Sequence, residues 1–365
     1  MYDLQVKILI VADGNAQHVV LTNWLEDLRK IGHEIKIATL SNDHDHMFLF
    51  SYFKKIKLFK LSSGIINIKN ITTLKKEINH YPPDFIWFHN INNEWSWSCL
   101  LVQTKNKAPK VITLHELNSI YPGKVTEKML NPNLKFMYYK FGLLKGSFYK
   151  LRSLVIRFFL SKVKVVSIGK LQNSILLSNK INVSTRIENY ITECKCELDT
   201  GLVKENTILF AGRQAYKGLD VVVQSVLKSD GWILIIAGGS DLLDFVKHTL
   251  PSSKYRYLGQ LTSSSLHSYI HTVKFVAVLS QCYDNFPTIG LEAIVHGSLP
   301  VTTNLTGLSS ICRAISSTLV LNTQEVPDLE KLDLEFYGQK IEIENDTFNL
   351  TDSNVFFNKL FSLLN

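Results

Sequence analysis

SQCYDNFPTIGLEAIVHGSLPVTT, residues 280–303, decides how the second half of this chain folds. Pro287 suits the first turn of a helix, Ala293 and Ile294 continue it, and Gly297 suits its end. The apolar run VAVL (276–279) comes immediately before, and Pro300-Val301-Thr302 closes the stretch; both read as short buried strands. A helix that joins two strands in this way is a crossover, the connection that parallel strands require. Two carboxylates, Asp284 and Glu292, fall on either side of the helix start, although that end of a helix favours anions. A small polyol carrying a phosphate reconciles the acids with the electropositive helix end.

The same alternation runs outward in both directions. Residues 6–11 (VKILIV) lead through Asp13-Gly14-Asn15 into a segment with Val20, Trp24, Leu25 and Leu28 on one face, and Gly32 then hands over to 34–38 (EIKIA). Further strands are expected at 85–88, 111–114 and 163–167, and a second series at 208–210, 233–236, 255–258, 276–279 and 300–302, with helices between them. The chain has 365 residues, beyond the size at which one core keeps growing. The expectation is therefore α/β, with two Rossmann-like doubly wound domains, residues 1–190 and 191–365. The last helix, 355–364, is free on this reading to pack on either.

Hydrophobic residues make up 45% and charged residues 20%, ordinary values for a globular protein. No apolar run approaches the roughly 18 to 20 residues of a membrane span, and MYDLQVKILIVADG reads as a strand without a leader, so a cytoplasmic location is expected. The five cysteines lack metal or redox spacing and are expected to be reduced. The net charge of +8 is uneven along the chain: between Lys124 and Lys164, Glu127 is the one acid beside eight further Lys and Arg residues. Aromatic and leucine side chains are interleaved there. Such a segment suits an anionic membrane surface, and equally a pair of helices with a solvated Lys face and an apolar core face. No nucleic-acid motif accompanies the charge, and no G-x-G-x-x-G follows the first strand as a nicotinamide dehydrogenase would have.

Ligands of open parallel sheets bind beyond the carboxyl ends of the strands, so the residues that follow strands are the ones that carry chemistry. After 208–210 come Arg213 and Lys217, four apart across a glycine turn that ends at Gly218. Two cations there can hold one phosphate pair, or can be a solvated loop. The backbone N–H groups of Phe286, Thr288 and Ile289, beside Asn285, would face the same mouth. Asp284 and Glu292 could then take hydroxyls on opposite sides of the phosphate, the layout of a sugar and a ribose joined by a diphosphate. Taken alone, Asp284 could as well cap the turn and Glu292 pair with a surface Lys. In the first half His115 follows a strand as a candidate catalytic group, and Trp87, Trp95 and Trp97 could stack on an acceptor or belong to the core; His18, His89 and, in the second half, His296 are weaker candidates.

These residues together resemble the retaining family-four glycosyltransferases. Asp284-x7-Glu292 is similar to the family's acidic-x7-Glu signature, Gly212-Arg213 with Lys217-Gly218 to its GR and KG loop, and Asp13-Gly14-Asn15, Gly32-His33-Glu34 and Thr113-Leu114-His115 to its N-terminal loops. The resemblance implies the GT-B architecture, two Rossmann-like domains facing across a cleft, and transfer of a sugar from a nucleotide diphosphate sugar with retention of configuration. By position, Glu292 would hold the ribose and Asp284 the transferred sugar, while Arg213 and Lys217 would neutralise the departing diphosphate. The Gly14 loop and His115 would reach the sugar from the other domain. The family generally uses no metal, and same-face attack with a phosphate oxygen accepting the proton is the implied route. The expected acceptor is a glycan or a lipid-diphosphate-linked glycan, as in surface polysaccharide or lipopolysaccharide assembly. A nucleotide-sugar epimerase, or an inactive nucleotide-sugar-binding protein, would share the architecture. The chain departs from the pattern in carrying Asp for the commoner Glu at 284, a single glycine in the first loop, and Thr306-Gly307-Leu308-Ser309-Ser310 where many relatives have a Glu.

Overall fold

The computed structural model describes residues 5–13, 19–38, 40, 65–89, 91, 95–117, 119–120, 125–126, 134–190, 204–212, 217–336 and 353–364. The first half runs β1 (Lys7–Ala12), α1 (Val19–Lys30), β2 (Glu34–Ala38), α2 (Ile68–His80), β3 (Phe85–His89), β4 (Lys110–Leu114), α3 (Leu134–Phe141), α4 (Leu143–Leu160), β5 (Lys164–Ile168), α5 (Gly169–Ser178) and β6 (Thr185–Ile187). Its strands form one sheet in the order β2-β1-β3-β4-β5-β6. The second half runs β7 (Glu205–Gly212), α6 (Leu219–Lys228), β8 (Ile233–Gly238), α7 (Ser240–Lys247), β9 (Tyr255–Gly259), α8 (Ser263–Thr272), β10 (Val273–Val278), α9 (Thr288–Val295), β11 (Leu299–Thr303), α10 (Ser309–Ile315), β12 (Val320–Leu321), α11 (Leu329–Phe336) and α12 (Ser353–Phe361). Its sheet has the order β12-β11-β10-β7-β8-β9. Every pairing in both sheets is parallel, and both orders are doubly wound.

The central strands are buried on both faces, which is why they read as continuous apolar runs rather than alternating ones. All five residues of β3 (FIWFH) and of β11 (LPVTT) are buried. Trp24 of α1 stacks on Trp87 of β3 with ring centroids 5.4 Å apart, so helix and sheet share a wholly buried aromatic layer. Helix α12, which the sequence left unassigned to either half, packs on the first. Phe356 lies 4.5 Å from Trp24, Phe361 meets the His33 ring edge at 4.9 Å, and Lys359 pairs with Glu188 at 3.7 Å.

Of the basic segment, residues 124 and 127–133 lie outside the described residues, and the described part contains α3 and α4. Tyr139, Leu143, Leu144, Leu151, Leu154 and Phe158 are exposed on it, and Leu144, Leu151, Leu154 and Phe158 recur at helical spacing as one stripe. Lys140, Lys145 and Lys162 are exposed beside them. Arg152 does not belong to that face: it is buried, and burial pushes its pKa down to about 10. Among the described residues no helix is long and apolar enough to cross a membrane. Cys99, Cys282 and Cys312 are buried and in no disulfide, whereas Cys194 and Cys196 lie outside the described residues.

The carboxyl ends of the two sheets meet. Tyr283 N–H donates to the Val125 carbonyl at 2.6 Å, and Asn285 Nδ2 donates to the Leu114 carbonyl at 3.3 Å. Phe286 packs against Gly169, where a Cβ would come within 2.8 Å of its ring. The loop between β10 and α9 is thus seated on the first domain.

Candidate active site

In the second sheet the winding reverses between β7 and β10, so ligand chemistry is expected beyond the ends of those two strands. Gly218, just before α6, is what lets the chain after β7 press against the end of β10. Its φ is +97°, and a Cβ there would sit 2.0 Å from the Leu279 carbonyl oxygen. The turn places Lys217 Nζ 2.6 Å from Asp284 Oδ2, to which Ser280 Oγ also donates at 3.1 Å. Asp284 itself is fixed by its backbone. Its N–H donates to the Leu305 carbonyl at 3.1 Å, and its carbonyl accepts from Gly307 N–H at 3.0 Å.

Helix α9 begins beside this pair. Pro287 occupies the N-cap with extended backbone and supplies no capping side chain; its carbonyl accepts from Gly290 N–H at 3.2 Å, and the N–H groups of Thr288 and Ile289 before it have no side-chain cap. Glu292, more than one turn along, faces α8, where His267 Nε2 lies 3.5 Å from Glu292 Oε2. The His267 ring is 5.0 Å from His296, whose pKa is pushed down to about 4, first by burial and then by His267 and His271. Lys204 holds the two helices together. Its ammonium donates to the His271 carbonyl at 2.8 Å, the His296 carbonyl at 3.3 Å and Ser298 Oγ at 2.8 Å, and burial lowers its pKa to about 8.

Across the cleft, His115 follows the last residue of β4. The Leu114 carbonyl before it accepts from Gln172 Nε2 at 2.8 Å as well as from Asn285 Nδ2, so the backbone at His115 is tied to α5 and to the facing domain. A small cavity beside His115 is lined by Ile91, Trp97, Glu116 and Ser119. His115 Nε2 lies 2.8 Å from His89 Nδ1 at the end of β3.

The structure therefore joins some of the expected site residues and separates others. Lys217 and Asp284 form one ion pair. Glu292 pairs with a histidine rather than a Lys. The Asn285 and Phe286 side chains are buried against the first domain, which leaves their backbone as what they can offer a ligand. Thr288 and Ile289 form the half-buried first turn of α9. Gly14 and Arg213 lie outside the described residues. Trp87, Trp95 and Trp97 are all fully buried, so the idea that they stack on an acceptor does not hold. The sequence reading missed His267, a helix residue whose role depends on which helix lies beside α9, and undervalued His89, although it ends a central strand. Among the described residues no group of three or more His, Cys, Asp and Glu is placed to hold a metal ion.

Comparison with known proteins bears on the family and the fold. A family model for glycosyl transferase 4-like sequences matches residues 7–154, and one for glycosyl transferases group 1 matches residues 199–332. The chain belongs to the group 1 glycosyltransferases. A glycosyltransferase from Rickettsia africae is similar in structure over 99% of this chain and 98% of its own, at 17% identity and a TM-score of 0.64. HepE of Anabaena, solved with UDP, is similar over 98% of this chain and 99% of its own, at 11% identity and a TM-score of 0.64. Sucrose-phosphate synthase of Thermosynechococcus elongatus gives 99% and 95%, at 14% identity and a TM-score of 0.61. At such identities the likeness is one of fold, and that fold is GT-B. No curated protein sequence matches this glycosyltransferase.

Proposed function

We propose that this glycosyltransferase moves a hexosyl group from a nucleotide diphosphate sugar to a glycan or lipid-diphosphate-linked acceptor, with retention of anomeric configuration, in surface polysaccharide or lipopolysaccharide assembly. The observation that carries the proposal is Lys217, locked by the Gly218 turn beside Asp284 and next to the start of α9. Charge develops on the diphosphate as it leaves, and a fixed ammonium with helix N–H groups is worth most at that moment. Arg213 adds a second cation, Asp284 and the Gly14 loop take the transferred sugar, and Glu292 takes the ribose. His115 faces the sugar from the other domain. Asn285, Phe286, Thr288 and Ile289 contribute backbone donors. The chain's own cations do this work, without a metal in the reaction. A second HepE structure holds UDP and glucose, which supports a nucleotide diphosphate sugar as donor class.

The acceptor side of the proposal rests on α4. Its exposed Leu144, Leu151, Leu154 and Phe158 stripe, flanked by Lys140, Lys145 and Lys162, suits the surface of an anionic bilayer at the cytoplasmic face of the membrane. The test is to incubate the purified protein with UDP-, GDP- or ADP-sugars and a polyprenyl-diphosphate-linked glycan. Apart from slow hydrolysis, donor consumption that requires the acceptor, with the donor's anomeric configuration in the product, is the expected result. Conversion of the donor to an isomeric nucleotide sugar without acceptor would make the protein an epimerase, and an inverted product would overturn retention. Lys145→Glu with Lys162→Glu should abolish flotation with anionic liposomes; wild-type protein that does not float would overturn the membrane contact.

A further inference from the structure

His115 has an environment of its own that the transferase reading leaves unexplained. His89 is the last residue of β3 and is only 1% exposed, yet it is polar and sits inside an aromatic layer. Its ring lies 4.3 Å from Trp87 and 5.7 Å from Trp24, and Trp24 in turn lies 5.6 Å from His115. The neighbouring strands cannot slide, because His89 is in register with Thr113 and Trp87 Nε1 donates to Thr113 Oγ1 at 2.8 Å. Against this frame His89 Nδ1 approaches His115 Nε2 to 2.8 Å, with ring centroids 5.1 Å apart.

Two neutral imidazoles that touch through one nitrogen each can share only one proton along the contact. When one nitrogen donates, the other must be a bare acceptor, and each ring's remaining proton is assigned by that choice. Two imidazolium rings would point N–H groups at each other across 2.8 Å, so the pair cannot carry both charges. The nitrogen of His115 that is turned away from His89 is Nδ1, and whether it donates or accepts is coupled to which ring donates in the His89 contact.

From this geometry we infer that His89 is a positioning residue: it fixes the tautomer and ring orientation of His115, and thereby the hydrogen bond that His115 Nδ1 offers the transferred sugar. The inference rests on the sugar-facing role of His115 in the transferase reading. It assigns a task to a buried histidine that touches no substrate. It also explains why the aromatic layer extends from α12 through Trp24 to the histidines: a ring that sets a tautomer must itself be held still.

The test compares wild type with His89→Phe, which keeps a flat ring without a nitrogen, and His89→Asn, which restores a polar atom near the position of Nδ1. Two-bond 1H–15N spectra of 15N-histidine-labelled protein at pH 8 report the tautomer of each ring. The His115 signal is assigned by its loss in His115→Ala. The expected result is a single tautomer in wild type and His89→Asn and a mixture in His89→Phe. Turnover is followed as hydrolysis of whichever of UDP-, GDP- and ADP-glucose the wild type accepts. There kcat should fall roughly 10- to 100-fold in His89→Phe with donor KM little changed, and recover in part in His89→Asn. A His89→Phe protein with one His115 tautomer, the same as wild type, overturns the inference. If instead the tautomer changes as expected but His115→Ala turns over donor at the wild-type rate, it is the sugar-facing role of His115 that fails.

Discussion

Lys217 and Asp284 neutralise each other at 2.6 Å, so a diphosphate entering this mouth competes with a carboxylate for the same ammonium. Lys217→Ala should lower kcat/KM by about 100- to 1000-fold, the loss typical of one donor to a developing charge, while leaving the thermal midpoint nearly unchanged because the pair is partly solvated. Steady-state rates and a melting curve on the same sample check both halves. His296 sets a pH dependence. It titrates near 6.5 in the unfolded chain and near 4 in the fold, because burial and then His267 and His271 oppose its charge. Between those values the unfolded chain binds more protons, so stability is full above about pH 6.5 and falls as pH drops toward 4. The loss should be about 2 to 3 kcal/mol by denaturant unfolding, and His296→Gln should flatten it. At this scale the sequence made Asp284, Glu292, Lys217 and His115 legible, since each follows or flanks a recognisable strand end. His89 read as a weak candidate and His267 and Lys204 as none, because their partners are set by which helices and strands lie side by side.

At the scale of elements, one glycine decides where a cation goes. Gly218→Ala puts a methyl group 2.0 Å from the Leu279 carbonyl in a left-handed conformation, so the turn before α6 must move and carry Lys217 with it. The expected outcome is a folded protein destabilised by about 2 kcal/mol whose kcat/KM falls as far as that of Lys217→Ala; a stable, fully active variant would show that the turn does not aim the ammonium. The long buried strands were legible as apolar runs because helices cover both faces of each sheet. The edge strands β6 and β12, three and two residues long, present no such run. Periodicity likewise marked the basic segment as helical but could not tell the solvated Lys145 from the buried Arg152, since both are cations on one helix.

For the whole molecule, the sequence indicated two doubly wound halves but not which of them would receive the last helix. The answer is in Phe356, which fills the space against Trp24 and Tyr190 of the first domain. Phe356→Ala should cost about 3 kcal/mol by denaturant unfolding and, through Trp24, loosen the histidine pair at the cleft. The contact between the 283–286 loop and the first domain was equally hidden, because a sequence does not state how two domains meet. One nucleotide diphosphate is expected to bind across the mouth of β7 and β10 through Lys217 and Glu292. A thermal-shift panel of UDP, GDP, ADP, CMP and NAD on wild type, Glu292→Ala and Lys217→Ala tests this. A ligand at about 100 times its Kd adds about 2.7 kcal/mol, several degrees for a well-behaved domain. One nucleotide diphosphate should raise the wild-type midpoint by that much and lose most of its effect in both variants. A panel in which none binds, in which NAD alone binds, or in which Glu292→Ala responds like wild type would overturn this binding mode.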